Sequence, residues 1–303
     1  MRPSSSGTLC LATDGSHRSE YDPAVAAAIL GEAAHLLRNI GFAAEHTVLI
    51  GGVAPALLVL DPGLGRPRHV GTADLDVSLS LALVEGDTAE YERIEQGLRG
   101  AGYEATEDSY RWRRAAGLGL EVEFFCPAGP GRPAGKLFRP KRSHSPRAKQ
   151  NMGSSLSAIA LDAGNAIGDD VVIVARDVVL PGGEGVLFAF RVTGLVGFLV
   201  AKMSALTKRD KPKDAYDIVW LLENWQDGPA GAARVVRESG HLDRPDVQAA
   251  LRSLSVEFGD IDRVGPQSYA RLMTDRSSVD DDRVRLARQA VGAVREFRLN
   301  LGS

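Results

Sequence analysis

The sequence predicts an α+β protein. A mixed β-sheet with flanking helices is expected over residues 21–193, and a C-terminal helical domain over 194–303. Three observations carry this reading. Short runs that alternate apolar and polar residues, such as "DLDVSLSLAL" (Asp74–Leu83) and "EVEFF", recur through the first two thirds of the chain; a period of two marks a half-buried strand. Helical patterns are interleaved with them, and from Gly194 onward the pattern is helical to the end. With 303 residues, 44 % of them hydrophobic, the chain can bury a sizeable core in two compact domains or one large one.

The elements follow in order. Residues 1–20 are polar, lack an apolar stretch of signal-peptide type and read as a flexible N-terminus. "DPAVAAAILGEAAHLLRNIGF" reads as a helix, with Pro23 near its start and Gly41 at its end. "HTVLI" is a short strand that stops at Gly51-Gly52, "VAPALLVL" a short helix, and "DPGLGRPRHVG" a turn-rich connection. After the Asp74–Leu83 strand, Asp87 or Thr88 caps the helix "AEYERIEQGLRGAG". "YRWRR" and "GLEVEFFCP" are two further strands, and residues 127–156 are loop-like. "SAIAL", "DVVIVA" and "EGVLFAFRV" complete the strands, and the acidic "SSVDDDR" near Asp280 marks a helix N-terminus. The two cysteines, Cys10 and Cys126, are far apart and fit a reducing interior rather than a disulfide framework. The apolar run "GLVGFLVA" is too short to span a bilayer. A soluble, cytoplasmic protein without a membrane partner is expected. The net charge of −3 argues neither for nor against a nucleic-acid partner.

The chemistry is concentrated in acidic strand faces. Asp74 and Asp76 share one face of their strand, because side chains repeat every second residue. Two carboxylates held that close repel each other, and a divalent cation resolves the conflict; hard oxygen ligands select Mg²⁺ or Mn²⁺. A solvated strand face would carry the same pattern. In "GLEVEFF", Glu121 and Glu123 again lie opposite an apolar face. If the two strands are sheet neighbours, the acids converge in an arrangement able to hold two cations, with Glu123 the preferred third ligand. Upstream, the backbone N–H groups of Gly51 and Gly52 are placed to cradle a phosphate. Arg66 and Arg68, just before the acidic strand, either face a triphosphate or are exposed loop residues. His46 and His69 read as structural.

The ordered set "LIGG…GTADLDVSL…LEVEFF" resembles the nucleotidyltransferase superfamily that includes DNA polymerase β, whose members carry a Gly-Gly or Gly-Ser turn, a D-x-D strand and a third acid. Thr72 fits the frequent T-x-D-x-D form. A second motif lies in the helical part. Lys202 is the lone charge on the apolar helix "VTGLVGFLVAKMSAL", where it is either a snorkelling stem or a cation aimed at a triphosphate. Asp214 and Asp217 follow on one helix face, a position that helix capping alone would also explain. The string from Lys202 to Asp217 resembles the later motif of the AbiEii/MenT-type toxins, nucleotidyltransferases of type IV toxin–antitoxin systems, with Lys213-Asp214 where the family has Arg-Asp.

The resemblance implies a nucleotidyltransferase core and an enzyme that moves an NMP from an NTP to a hydroxyl, releasing pyrophosphate. Its expected catalytic residues are Asp74, Asp76, Glu123, Lys202, Asp214 and Asp217. Gly51, Gly52, Thr72, Arg66, Arg68 and Lys202 would hold the nucleotide. Asp74, Asp76 and Glu123 would bind Mg²⁺ or Mn²⁺, two ions in all. A tRNA 3′ end is the implied acceptor, growth arrest the outcome and a cognate antitoxin protein a partner. Residues 124–161 contain no carboxylate but carry Arg132, Lys136, Arg139, Lys141, Arg142, Arg147 and Lys149. Such a segment attracts a phosphate backbone, and Arg139, Lys141, Arg142, Arg147 and Lys149 are the expected RNA contacts. A solvated loop or an antitoxin docking site is the alternative there. For the whole chain, the alternatives are a small-molecule acceptor such as an antibiotic, a D-x-D glycosyltransferase, and a catalytically degenerate binding module.

Overall fold

The computed structural model describes residues 17–21, 23–63, 65–72, 74–79, 89–139, 156–274 and 280–302. Alternation does in space what it predicts in sequence. In β2 (Asp74–Leu79), Leu75, Val77 and Leu79 are fully buried, while Asp74 and Asp76 turn to the other face. In β5 (Glu121–Pro127), Val122, Phe124 and Cys126 are buried and Glu121 and Glu123 face the other way. These strands belong to an open mixed sheet of nine strands among the described residues. The others are β1 (Thr47–Ile50), β3 (Tyr103–Ala105), β4 (Arg111–Arg114), β6 (Leu137–Phe138), β7 (Ala158–Leu161), β8 (Val171–Val179) and β9 (Gly185–Thr193).

The strand order is β3-β4-β5-β2-β1-β9-β8. β2 runs antiparallel to β1 and parallel to β5, and β4 flanks β5 on its other side. Where β4 ends, β7 takes its place beside Phe125–Pro127, and β6 pairs β7 in turn. β3 and β6 have only three and two residues, too few for a periodic signal. Residues 80–83 of the expected strand, and the expected caps Asp87 and Thr88, lie outside the described residues.

Helices cover the sheet's apolar face. α1 (Pro23–Ile40) buries Ile29, Ala33, Leu36, Leu37 and Ile40, and packs against α3 (Ala89–Gly100) and β8. Arg114 projects from β4 to Glu32 of α1, with Nη1 2.6 and 2.7 Å from the two carboxylate oxygens. Arg99 of α3 lies over the buried Trp112 ring, 5.3 Å from its centroid. Two short helices, α2 (Ala54–Leu58) and α4 (Gly164–Asp169), follow β1 and β7.

From Gly194 onward the described chain is helical, as α5 (Leu195–Leu206), α6 (Pro212–Asn224), α7 (Gly228–Glu238), α8 (Pro245–Glu257), α9 (Val264–Met273) and α10 (Asp280–Leu301). The apolar circumference of α5 is explained by burial on all sides: Leu195, Val196, Phe198, Leu199, Val200, Met203 and Leu206 are all enclosed. α6 is buried along nearly its whole length. α10 opens with Asp280, Asp281 and Asp282 in its first turn, where carboxylates meet the positive end of the helix dipole. No helix among the described residues is long and apolar enough to cross a membrane.

The Glu32–Arg114 pair is almost fully enclosed. Removing one partner strands the other charge, which costs about 3–5 kcal/mol in such settings. Glu32→Gln is therefore expected to lower the unfolding free energy by about 3 kcal/mol, read as a shift in urea midpoint at unchanged slope.

Candidate active site

The site begins with register. β2 and β5 pair in parallel with Asp74 opposite Glu121 and Asp76 opposite Glu123, so all four carboxylates share one face. On the far side of β5, Arg111 stands opposite Glu123 and Arg113 opposite Glu121. Among the described residues each acid except Asp76 has a cation within ion-pair distance; Lys202 and Lys211 act on Asp76 only from farther off. Arg113 Nε donates to Glu121 at 2.9 Å, and Arg111 Nε donates to Glu123 Oε1 at 2.6 Å. Asp74 accepts from the Thr72 hydroxyl at 2.6 Å, and Lys211 Nζ lies 3.9 Å from its other oxygen. Burial works against the charged form of Asp74, but Lys211, Thr72 and Lys213 hold its carboxyl below its ordinary value. Asp76 goes the other way. Burial, then the charges of Asp74 and Glu123, push it up to about 8. Burial also raises Glu123, against the pull of Arg111.

The glycine pair is a packing requirement of this face. Gly51 has φ of +68°, and a Cβ there would lie 1.8 Å from Asp76 Oδ2. A Cβ on Gly52 would come within 2.7 Å of both Lys213 Nζ and Thr72 Oγ1. Only glycine lets the backbone after β1 press against the acids in this way.

Behind the acids lies a buried ionic cluster. Lys202 Nζ sits 2.9 Å from Asp214 Oδ1 and 2.7 Å from Asp217 Oδ2. Lys213 donates to Asp217 at 2.7 and 3.0 Å, and Arg209 Nε donates to Asp214 at 2.8 Å. His69 completes the shell. The Gly71 N–H donates to His69 Nδ1 at 3.1 Å, which leaves Nε2 as the protonated nitrogen, donating to Asp217 at 2.9 Å. Burial lowers the His69 pKa to about 4, so the ring is neutral. For Lys202, burial opposes the charge, but Asp214 and Asp217 outweigh it and raise the pKa. Burial likewise opposes the charged form of Asp217, and Lys202, Lys213 and His69 together hold it far below the carboxylate range. The same helix face grips the chain that leads into β2. Trp220 Nε1 donates to the Pro67 carbonyl at 3.2 Å, and the Val70 N–H donates to the Tyr216 hydroxyl at 3.2 Å.

Acids and cations meet across a cleft of about 260 Å³. Its walls include Gly51, Asp74, Asp76 and Glu123 on one side and Lys202, Lys208, Arg209 and Lys211 on the other. Ala134 and Gly135 form part of the rim. Glu121 is not among the lining residues, and neither are Asp214 and Asp217, which are fully enclosed. Arg66 and Arg68 also stand off the cleft; Arg66 donates to the Glu223 carbonyl at the end of α6. Arg139 donates to the Ser109 hydroxyl at 2.9 Å. Lys141, Arg142, Arg147 and Lys149 lie outside the described residues. Sequence reasoning passed over Lys208, Arg209 and Lys211 as site residues, although the run "TKRDKPK" concentrates them between two helices. It also passed over Arg111, whose signal is only the alternation of "YRWRR".

No three of the acids, histidines and cysteines among the described residues converge into a ready coordination shell. The donor chemistry nevertheless suits a hard divalent cation: Asp74, Asp76 and Glu123 are carboxylates on one face, and Asp76 forms no close ion pair among the described residues.

Two outcomes follow. Asp217→Asn removes the shared partner of Lys202, Lys213 and His69, and is expected to cost about 3–5 kcal/mol in urea unfolding. Asp76 behaves oppositely. Its folded pKa of about 8 stands above the ordinary 3.8, so between those values the folded chain holds a proton that the unfolded chain releases. That stabilisation is complete below about pH 4 and is lost as pH rises through about 8. Between about pH 4 and 6.5 buried, neutral His69 works against this, because the unfolded chain binds its proton there. In chelator, the melting temperature should therefore fall between about pH 6.5 and 8, and Asp76→Asn should flatten that fall.

Comparison with known proteins extends the geometry. The family model described as nucleotidyl transferase AbiEii toxin, type IV toxin–antitoxin system, matches residues 35–291. That span runs from within α1 into α10 and includes both acidic strands and the α5–α6 segment. No curated protein matches the chain. With most of its length matched, including every strand of the sheet and every residue of the cleft described above, the chain belongs to the AbiEii family of nucleotidyltransferase toxins of type IV toxin–antitoxin systems.

Proposed function

We propose that the chain transfers an NMP from an NTP to a hydroxyl acceptor, and that the acceptor is a tRNA 3′ end. The observation that carries this reading is the facing of charges across one cleft: three acids of β2 and β5 on one wall, and Lys208, Arg209 and Lys211 on the other. A triphosphate alone would be repelled by the acidic wall and attracted by the basic one. It is accommodated when it arrives with a divalent cation against the acids.

Asp74, Asp76 and Glu123 would hold Mg²⁺ or Mn²⁺. Bound there, the cation would neutralise the phosphates and lower the pKa of the attacking hydroxyl. The protein's own residues do the positioning. Thr72 fixes Asp74 through the 2.6 Å hydrogen bond. The Gly51-Gly52 turn packs against the same face, and its backbone N–H groups would meet the phosphates there. Lys211 and Arg209 would contact the departing pyrophosphate. Asp214 anchors Arg209 from behind, so that its guanidinium is presented in a fixed orientation. Lys202, already shared by Asp214 and Asp217, would contribute a fixed positive field rather than a mobile contact. Asp214 and Asp217 would thus act through the cations they hold.

Support for an RNA acceptor comes from the rim. Ala134 and Gly135 border the cleft within the carboxylate-free, basic stretch, next to Arg132, Lys136 and Arg139. The toxin–antitoxin family also implies a cognate antitoxin partner.

The test is incubation of the purified chain with each α-³²P NTP, total tRNA and Mg²⁺. Label on RNA with one preferred NTP is expected, and Asp76→Ala should reduce it by about 10³-fold. Lys211→Ala should chiefly raise the NTP KM, by about tenfold. Label that appears on a small-molecule hydroxyl and never on RNA would overturn the acceptor assignment. Full transfer by folded Asp76→Ala would overturn the site.

A further inference from the structure

We infer that Arg111 is a built-in counter-cation that latches Glu123 away from Asp74 and Asp76, so that the third acid joins the pair only on releasing Arg111. The inference rests on the metal-dependent reading above and concerns how that site is completed.

Glu123 lies between two register partners, Asp76 on β2 and Arg111 on β4. All three side chains share a face, so Glu123 is repelled from one side and attracted from the other. In the structure Arg111 Nε holds Glu123 Oε1 at 2.6 Å, while Glu123 still lines the cleft beside Asp74 and Asp76. The acids that share the face do not converge into a coordination shell. Arg111 is itself held at two further points. Its Nη1 donates to Asp108 Oδ2 at 3.1 Å, and its guanidinium lies over the Tyr110 ring at 5.0 Å. Arg111 therefore keeps partners of its own when Glu123 leaves. Its side chain is about a third exposed and that of Glu123 much less so, which leaves a path for the guanidinium to turn outward onto Asp108. A divalent cation beside Asp76 would reverse the sign of the field that Glu123 experiences from that side. The latch would then open without any backbone change. Arg111 is in this sense a positioning residue: its charge decides where Glu123 points.

The competing expectation is that Arg111 orients Glu123 as a supporting partner, as outer partners of metal ligands commonly do, in which case its removal weakens metal binding by about 10–100-fold. The two expectations differ in sign. Mn²⁺ binding to the full-length chain, measured by loss of the free-ion electron paramagnetic resonance signal, separates them without reference to activity. For a latch, Arg111→Gln should tighten Mn²⁺ binding by up to about fivefold, the upper end for a partly exposed charge pair. Arg111→Lys should stay near wild type. Asp108→Asn, which removes the alternative partner of Arg111, should weaken binding. In a Glu123→Gln background, Arg111→Gln should have no effect. Circular dichroism confirms that each variant folds. Unchanged or weaker Mn²⁺ binding by folded Arg111→Gln overturns the latch. Mn²⁺ binding by wild type that is no stronger than that of Asp74→Asn/Asp76→Asn overturns the metal reading, and the latch with it.

Discussion

Four carboxylates on one face of two adjacent strands are the constraint around which this protein is organised. Parallel, in-register pairing of β2 with β5 puts Asp74, Asp76, Glu121 and Glu123 side by side. Like charges at such spacing oppose folding unless positive charge is brought to them. The fold brings it from two directions. β4 supplies Arg111 and Arg113 within the sheet, and the α5–α6 connection supplies Lys211 across the cleft. Asp76, at the centre, forms no close ion pair among the described residues. Burial first, then the charges of Asp74 and Glu123, raise its pKa, against the weaker pull of Lys202 and Lys211.

The buried cluster behind the cleft solves a different problem. Lys202 and Lys213 are enclosed, and an enclosed ammonium is tolerated only with close, complementary partners. Asp214 and Asp217 provide them, and His69 adds a neutral hydrogen bond that fills another acceptor position on Asp217. The cluster also joins the two parts of the chain. His69 and its neighbours form the connection that enters β2, and the residues that hold them belong to α6. The helical segment therefore fixes how the acidic strand begins, through contacts made far from the acids in sequence. Wild-type charges this deeply paired are poor candidates for moving parts, whereas Arg209 and Lys211 reach the cleft with exposed ends.

What was legible in the sequence and what was not divides along this line. The strands bearing Asp74, Asp76 and Glu123 were legible, because alternation reports which face a side chain takes and needs no knowledge of neighbours. The apolar α5 helix was legible for a similar reason, since a helix apolar all round has to be enclosed. The Lys202–Asp217 string was recognised as a motif, but not as a closed ionic cluster, and the participation of His69 was read only as structural. Arg66 looked well placed for a nucleotide, being close to Asp74 in sequence, yet the chain carries it to the end of α6. Proximity along a turn-rich segment says little about proximity in space.

By itself the sequence determined the order of the chemistry: a glycine turn, an acid pair on one strand face, a third acid on another, then a lysine and two aspartates on helices. Those are local properties, set by side-chain periodicity and turn preference. Only the tertiary structure decided the partners. Strand order and register placed Glu123 between Asp76 and Arg111, and helix packing enclosed Lys202 and turned Arg209 and Lys211 toward the cleft. Register and packing arise from contacts between residues far apart in the chain. A charge acquires its chemical meaning from such contacts, because its pKa, its orientation and its availability all depend on which groups stand beside it.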